Sequence, residues 1–104
     1  MAGNRIELCG RVLGEPELRT TPAGTSVLRV QVQAADGAGA FALAIVMTGE
    51  ATRRQAGELK SGTEVMVKGT LKAVRRRLKS GLAETAYEVA AESIAVAEPV
   101  GRIK

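Results

Sequence analysis

The sequence of 104 residues contains no histidine and no tryptophan, and it has a single cysteine, Cys9. Without histidine the chain cannot build a Ser-His-Asp triad, a histidine general base or a histidine metal site. One cysteine forms neither an internal disulfide nor a cysteine zinc site. The sequence also lacks a G-x-x-x-x-G-K-[ST] phosphate-binding loop and any pair of carboxylates at a catalytic spacing. We therefore expect a protein that is not an enzyme and that needs no metal or cofactor.

Long apolar runs are absent as well. No stretch approaches the roughly 18 apolar residues that span a bilayer, and the opening residues MAGNRIE lack the basic and apolar regions of a signal peptide. We expect a cytoplasmic protein with no membrane contact and no small-molecule substrate. With 45% apolar and 25% charged residues, a chain of this length builds one core. The expected organisation is a single domain over residues 1–98 and a short tail over residues 99–104.

The net charge of +4 is concentrated in the C-terminal part of the chain. Residues 1–64 contain seven basic and seven acidic side chains, whereas residues 65–104 contain eight basic and four acidic ones. The six basic residues between positions 65 and 83, where no acidic residue occurs, are Lys68, Lys72, Arg75, Arg76, Arg77 and Lys79. Such a cluster indicates an anionic partner, and nucleic acid is the first candidate.

A two-residue alternation of apolar and polar side chains runs through most of the chain, as in strands with one buried face. It predicts five strands, at about residues 4–13, 26–34, 41–48, 64–74 and 84–97. The segment before the fourth strand has the composition of a short helix ended by Gly62. Gly10 and Gly69 interrupt strands, which is typical of bulges and of sharp bends in small barrels. The pattern predicts an all-β protein, a five-stranded OB-fold barrel with a small helical or irregular insert, although another small β-barrel also fits it.

Two segments resemble the opening of bacterial single-stranded DNA-binding proteins: residues 4–12, NRIELCGRV, and residues 15–24, EPELRTTPAG. In the second segment Pro16 and Pro22 fix φ, and Ala23-Gly24 supplies a tight turn into the second strand. The resemblance covers about residues 4–97. It implies an OB-fold that binds single-stranded DNA.

Within that family the chain most resembles the short members of the primosomal replication protein N type. Its length is that of a bare OB domain, and residues 62–71 (GTEVMVKGTL), 79–82 (KSGL) and 91–94 (AESI) match their fourth strand and last hairpin. The resemblance implies a homodimer paired near residues 4–12, with a restart helicase and other primosome proteins as partners. Since the sequence ends in PVGRIK, we expect it to lack the acidic, phenylalanine-ended tail of the longer members.

The resemblance places four cations in the loop between the fourth and fifth strands: Arg75, Arg76, Arg77 and Lys79. In OB-folds that loop embraces single strands, and long basic side chains pair with phosphates and release counterions. We expect these four residues to contact DNA, although a solvated hairpin tip is the alternative. Lys68 and Lys72 are expected to face outward on the fourth strand, where they line the same groove or protect a sheet edge.

Aromatic side chains are scarce, and the resemblance gives them a role, because the family stacks bases on such residues. Each stacked base is worth about 1–3 kcal/mol. Phe41 opens the third strand near a stacking position of the family, and it is explained equally well as a core residue. Tyr87 is expected to be buried by barrel packing. We therefore expect binding to be mainly electrostatic.

Arg19 is a further DNA-binding candidate, because it lies in the ELRTTP segment. There it touches phosphate or pairs with Glu15 or Glu17. Three more arginines are expected to contribute less: Arg29, Arg53 and Arg54.

Two other functions remain open from the sequence. One is a diverged single-stranded DNA-binding protein that coats strands as a tetramer. The other is an OB-fold adaptor that binds proteins and barely touches DNA, which the scarcity of aromatic residues favours.

Overall fold

Five strands and one short helix form the described part of the chain. The computed structural model describes residues 3–97. In chain order the elements are β1 (Ile6–Thr20), β2 (Ser26–Asp36), β3 (Gly39–Thr48), α1 (Ala51–Glu58), β4 (Glu64–Arg77) and β5 (Ala83–Val96). The expected tail over residues 99–104 lies outside the described residues.

The strands close into a barrel in the order β1-β2-β3-β5-β4, and β1 pairs with β4 to complete the ring. Neighbouring strands are antiparallel except β3 and β5, which are parallel. β1 serves both sides of the ring, because residues 6–11 pair with β4 and residues 11–20 pair with β2. The five-stranded OB-fold that the sequence predicted is thereby confirmed.

The core fills the barrel with aliphatic side chains from alternate strand positions, as the two-residue period required. Its buried members are Val12, Leu28, Val30, Val32, Ile45, Leu59, Val65, Val67, Val89 and Ile94. Helix α1 packs against β1, β2 and β3 and covers one end of this core. It is fixed to the barrel wall by Gln55, whose Nε2 donates a hydrogen bond to the carbonyl oxygen of Ile94 at 2.7 Å.

The end of α1 differs from the prediction, which had the helix continue to Gly62. The helix ends at Glu58, because the next residue, Leu59, leaves the helical conformation and is completely buried in the core. Gly62 lies instead in the turn before β4, where it adopts φ +92°. Its amide donates to the carbonyl oxygen of Val12 at 2.8 Å, so the turn is bound to β1.

β1 is longer than predicted. The sequence suggested a strand that stops near residue 13 and a loop over residues 15–24, but β1 continues to Thr20 after an irregularity between Leu13 and Glu17. The chain absorbs this irregularity at Gly14, which adopts φ +72°. The predicted tight turn at Ala23-Gly24 is confirmed, because the Gly24 amide donates to the carbonyl oxygen of Thr21 at 2.8 Å.

The two strand glycines lie where strands approach each other closely, as expected from the sequence. At Gly69 the register of β4 against β5 shifts, and a Cβ atom would overlap the carbonyl oxygen of Ala90. At Gly10 a Cβ atom would overlap the carbonyl oxygen of Gln33. Gly10 is also the last β1 residue before pairing with β2 begins at Arg11. Both positions therefore need glycine for space, since no side chain fits there.

The two ends of the barrel differ, and this positions the candidate site. At one end lie α1 and the β1–β2 turn, because the Gly49 amide just before α1 donates to Ser26 at the start of β2, at 3.0 Å. The β2–β3 and β4–β5 hairpins extend from the other end, because the parallel strands β3 and β5 begin on the same side. These two hairpins therefore stand beside each other at an end that α1 does not cover.

Candidate nucleic-acid interface

The β4–β5 hairpin continues beyond the barrel as a two-stranded ribbon. Pairing of β1 with β4 stops at Gly69, and pairing of β3 with β5 starts at Glu88. Residues 72–87 therefore pair only within the β4–β5 hairpin, and we call this ribbon the arm. Its tip is a turn in which the Leu78 amide donates to the carbonyl oxygen of Leu82 at 2.7 Å. The arm holds five of the six clustered cations: Lys72, Arg75, Arg76, Arg77 and Lys79.

The arm has two faces, and strand register assigns each side chain to one of them. Residues directly opposite in an antiparallel pair point to the same side, and sides alternate along a strand. The inner face continues from the core residues Val67 and Val89. Its members within the arm are Ala73, Arg75, Arg77, Ala83, Thr85 and Tyr87. The outer face is formed by Lys72, Val74, Arg76, Glu84 and Ala86.

Cations of the outer face lie next to carboxylates. Arg76 Nη2 binds Glu84 Oε2 at 3.0 Å. Lys72 is opposite Glu88 but forms no ion pair with it among the described residues; the Oε2 atom of Glu88 accepts from Arg29 at 3.1 Å. These carboxylates offset part of the positive charge of the outer face, so its cations are only partly available to an incoming phosphate.

Lys68 has a similar environment, although it lies outside the arm in the barrel wall. It is opposite Glu7 on β1 and Ser93 on β5. Its side chain is exposed on the outside of the barrel. The structure therefore separates Lys68 from the arm cations with which the sequence cluster grouped it.

Cations of the inner face have no such neighbours. Arg75 is opposite Thr85, and Arg77 is opposite Ala83. Within residues 3–97 neither guanidinium has a carboxylate oxygen within 4.0 Å. Both side chains are exposed. Lys79 lies in the turn at the tip, where it is exposed as well. These three residues are the arm cations that have no carboxylate opposite them.

Tyr87 is exposed, and the expectation that barrel packing buries it was wrong. Its relative exposure is 57%, and it lies on the inner face opposite the small side chain of Ala73. The physical reason is that β3 stops pairing with β5 at Glu88, one residue after Tyr87, so no strand covers the ring. Arg75 occupies the next inner-face position of the opposite strand. An aromatic ring and a free guanidinium are therefore neighbours on this face.

Phe41 also faces the interior side of the sheet, but beyond the core. It is opposite the buried Ala34, and its relative exposure is 41%. The outward side of β2 and β3 contains Arg29, which is ion-paired with Glu88, and otherwise uncharged side chains such as Gln31, Gln33 and Ala42. No aromatic residue lies on that outward surface in the described part of the chain. Stacking of a base on Phe41 remains a prediction.

Arg19 lies far along the sheet from the arm. It is opposite Val27, whose other partner is Thr48 at the end of β3 that leads into α1. No ion pair to Glu15 or Glu17 forms among the described residues. Arg53 and Arg54 are exposed on α1 at the same end. The structure therefore brings the arm cations together and leaves these three arginines apart from them.

The division of the arm arginines between two faces is a feature that the sequence analysis missed. A signal for it was present, because the buried Val65 and Val67 fix odd-numbered positions of β4 as inward. Continuing that alternation places Arg75 and Arg77 inward and Arg76 outward.

Among residues 3–97 no cluster of side chains suited to a metal ion occurs, and no helix there is long and apolar enough to cross a membrane.

The family model for the single-strand binding protein family matches residues 3–97, which is the whole of the described chain. No curated protein matches the sequence.

Proposed function

This chain belongs to the single-strand binding protein family, whose members bind single-stranded DNA and are not enzymes, and from this premise we propose its specific role. It is a homodimeric accessory protein of replication restart, with one DNA-binding domain over residues 1–98. It holds single-stranded DNA mainly by electrostatic contacts and bridges it to a restart helicase. The observation that supports DNA binding most directly is the arm, with Arg75, Arg77 and Lys79 free of carboxylate partners in the described chain.

The DNA-binding step is tested by fluorescence anisotropy with a labelled oligo-dT strand of about 30 nucleotides, longer than the ~4–16 nucleotides that one OB domain covers. The expected result is binding that weakens steeply with salt, because phosphate contacts release counterions. A duplex of the same length is the control. Absence of binding at low salt would overturn the proposed DNA-binding role.

Self-association has a specific basis in β1. Within the described chain, residues 6–10 pair with β4 on one edge only, because β2 joins β1 at Arg11. An unpaired strand edge is a template for another strand. A cleft of about 560 Å³ beside it, lined in part by Cys9 and Met66, leaves this edge accessible. We assign the edge to β1 of a second copy, running antiparallel.

Charge favours one register for that pairing. Antiparallel pairing centred on Cys9 places Glu7 across from Arg11 of the partner subunit, at the end of the free edge where β2 joins β1, so the opposite side-chain charges lie close together. Centring it on Leu8 would set Arg5 against Arg11 of the partner subunit, and like charges directly opposite are destabilising. In the favoured register Cys9 of one protomer lies opposite Cys9 of the partner subunit. The proposed dimer therefore predicts that this single cysteine forms an intersubunit disulfide under mild oxidation.

Sedimentation equilibrium tests the dimer, with two substitutions at Cys9 as a matched pair. Cys9→Asp sets two negative charges opposite each other and is expected to shift the protein toward monomer, whereas Cys9→Ser should leave the dimer intact. Cys9 is exposed, so neither change disturbs the core. A monomeric wild-type protein, or equal association of the two variants, would contradict this interface.

Charges on the outside of the barrel argue against the rival function, a tetramer that coats strands. The outward surface of β1 and β4 includes the exposed ion pair between Arg11 and Glu64, at 2.9 Å, together with Glu7 and Lys68. Stacking two dimers on this surface would remove these charges from water, at an effective cost of several kcal/mol per ion. Assembly is therefore expected to stop at the dimer, and a tetramer in the same sedimentation experiment would favour the coating protein.

The helicase partnership rests on the resemblance, and the exposed apolar tip of the arm supports a protein contact. Leu82 is 67% exposed there, with Leu78 beside it. A purified restart helicase unwinding a forked DNA is expected to be stimulated by the protein and less so by Leu82→Ser. If the protein binds this helicase but no DNA, the adaptor function is favoured instead. In the described part of the chain no aromatic side chain lies on the outward surface of β2 and β3, and this observation favours the adaptor function.

A further inference from the structure

The geometry points to the inner face of the arm as the path of the single strand, with bases stacked on Tyr87 and phosphates paired with Arg75 and Arg77. This inference rests on the proposed DNA-binding function and specifies which surface performs it. It assigns no phosphate contact to the outer face of the same arm, although that face holds as many strand cations. The outward surface of β2 and β3 is likewise left without a base-stacking role.

Charge is the first argument, because the two faces of the arm differ in the carboxylates opposite their cations and not in the number of cations. Each strand face holds two: Arg75 and Arg77 inside, Lys72 and Arg76 outside. The outer pair lies against Glu84 and Glu88, whereas no carboxylate lies opposite the inner pair. A polyanion therefore meets more net positive charge on the inner face, where it has no carboxylate to displace. Electrostatic complementarity of this kind determines where an anionic strand binds.

The exposed ring of Tyr87 is the second argument. Exposed aromatic side chains accept bases of any sequence by stacking. The residue opposite Tyr87 is Ala73, whose methyl group leaves space over the ring. Two residues along a strand span about 7 Å, so Arg75 and Arg77 follow one another along the arm like successive phosphates of an extended strand. Tyr87 lies diagonally across from Arg75, which places the stacked base and its phosphate on one side of the ribbon.

The neighbouring hairpin gives this face a second wall. β3 and β5 pair only over three residues each, from Ala44 and from Glu88, and then separate toward their starts. The β2–β3 hairpin therefore stands across a gap from the arm, at the end of the barrel opposite α1. Phe41 lies on the interior side of that hairpin and is partly exposed. A strand on the inner face thus runs between the two hairpins, with Phe41 near its other side.

Two double variants test the path with a matched control. One variant combines Arg75→Ala with Arg77→Ala, and the other combines Lys72→Ala with Arg76→Ala, so each removes two positive charges, one pair from each face of the arm. Anisotropy with oligo-dT is expected to show at least a tenfold loss of affinity for the inner variant and less than a threefold loss for the outer one. Losing two phosphate contacts should also flatten the salt slope by about 1.4. Equal losses in the two variants would overturn the inference.

Tyr87 provides an independent readout, because it is the only tyrosine in a chain without tryptophan. Intrinsic tyrosine fluorescence of the whole protein therefore reports on this one ring. Oligo-dT is expected to quench it in step with the anisotropy change, after correction with free tyrosine for absorption by the DNA. Tyr87→Leu should weaken binding by about tenfold, within the range for one stacked base, and Tyr87→Phe should restore it.

The outcomes separate the two proposals. Tight oligo-dT binding with unchanged tyrosine emission, or with Tyr87→Leu as strong as the wild type, would overturn the inner-face path and leave the DNA-binding role intact. Absence of any binding by the wild-type protein at low salt would overturn both. Circular dichroism and thermal melting of each variant exclude unfolding as the cause of a loss, since all the substituted side chains lie outside the core.

Discussion

The steepness with which salt weakens DNA binding measures how many cations touch phosphate. On a single strand, each contact contributes about 0.7 to the negative slope of log K against log salt concentration. If all six cations between residues 65 and 83 made contact, the slope would be about −4. Carboxylates opposite some of these cations in the folded protein argue for a smaller value.

Half of these cations lie next to a carboxylate, and the other half do not. The first group is Lys68, Lys72 and Arg76. The second group is Arg75, Arg77 and Lys79. A phosphate that approaches the first group must displace or share a carboxylate, so it releases fewer counterions. Three free cations give an expected slope of about −2 for one arm.

The assay is a salt titration by anisotropy with an oligo-dT strand of about 10 nucleotides, within the site size of one OB domain. A strand this short is chosen because one that spans both arms of a dimer would double the slope. Arg75→Ala should reduce the slope by about 0.7 and Arg76→Ala should leave it nearly unchanged. A slope of about −4 on the short strand would refute the reasoning, because the three cations that lie opposite carboxylates would then have to take part.

Two further predictions concern stability. Gly69→Ala forces a Cβ atom against the carbonyl oxygen of Ala90, so urea unfolding is expected to show a loss of about 1–3 kcal/mol or more. Gly37→Ala, with no atom within 4 Å of its Cβ, should change stability by less than about 0.5 kcal/mol; equal effects would contradict the packing argument. Asn4 accepts from the Leu71 amide at 2.6 Å and donates to the Leu71 carbonyl oxygen at 3.1 Å. Asn4→Ala is expected to cost about 1 kcal/mol and to accelerate hydrogen exchange of that amide, and unchanged exchange would argue against this contact in solution.

The sequence predicts the five strands well because each has one buried face, and a two-residue period records burial directly. Alternation does not reveal how far a strand continues after its partner has ended. Tyr87 shows this limit, since its parity places it on the interior side while β3 ends its pairing too early to cover it. Ala23-Gly24 was predictable as a turn because the conformation is local, whereas the passage of β1 beyond Leu13 depends on pairing with β2.

The candidate site was predictable as a cluster but not as a surface. Consecutive arginines point to alternate sides of any strand, so the sequence alone predicts that Arg76 faces away from Arg75 and Arg77. The ion-pair partner of Arg76 was not predictable from the sequence. Glu84 reaches it because the tip turn fixes which residues of β4 and β5 lie opposite each other. A hairpin one residue longer would have changed that pairing, and composition alone does not reveal the loop length.

The arm is a ribbon of two strands that no third strand supports, and this gives it a stability of its own. An isolated two-stranded hairpin is only marginally stable in water. Residues 72–87 can therefore open locally while the barrel, closed by β1 and β4, stays folded. A bound strand that contacts only the closed arm shifts this local equilibrium. Amide exchange in the arm should then slow in proportion to DNA occupancy, while exchange in the barrel core stays the same.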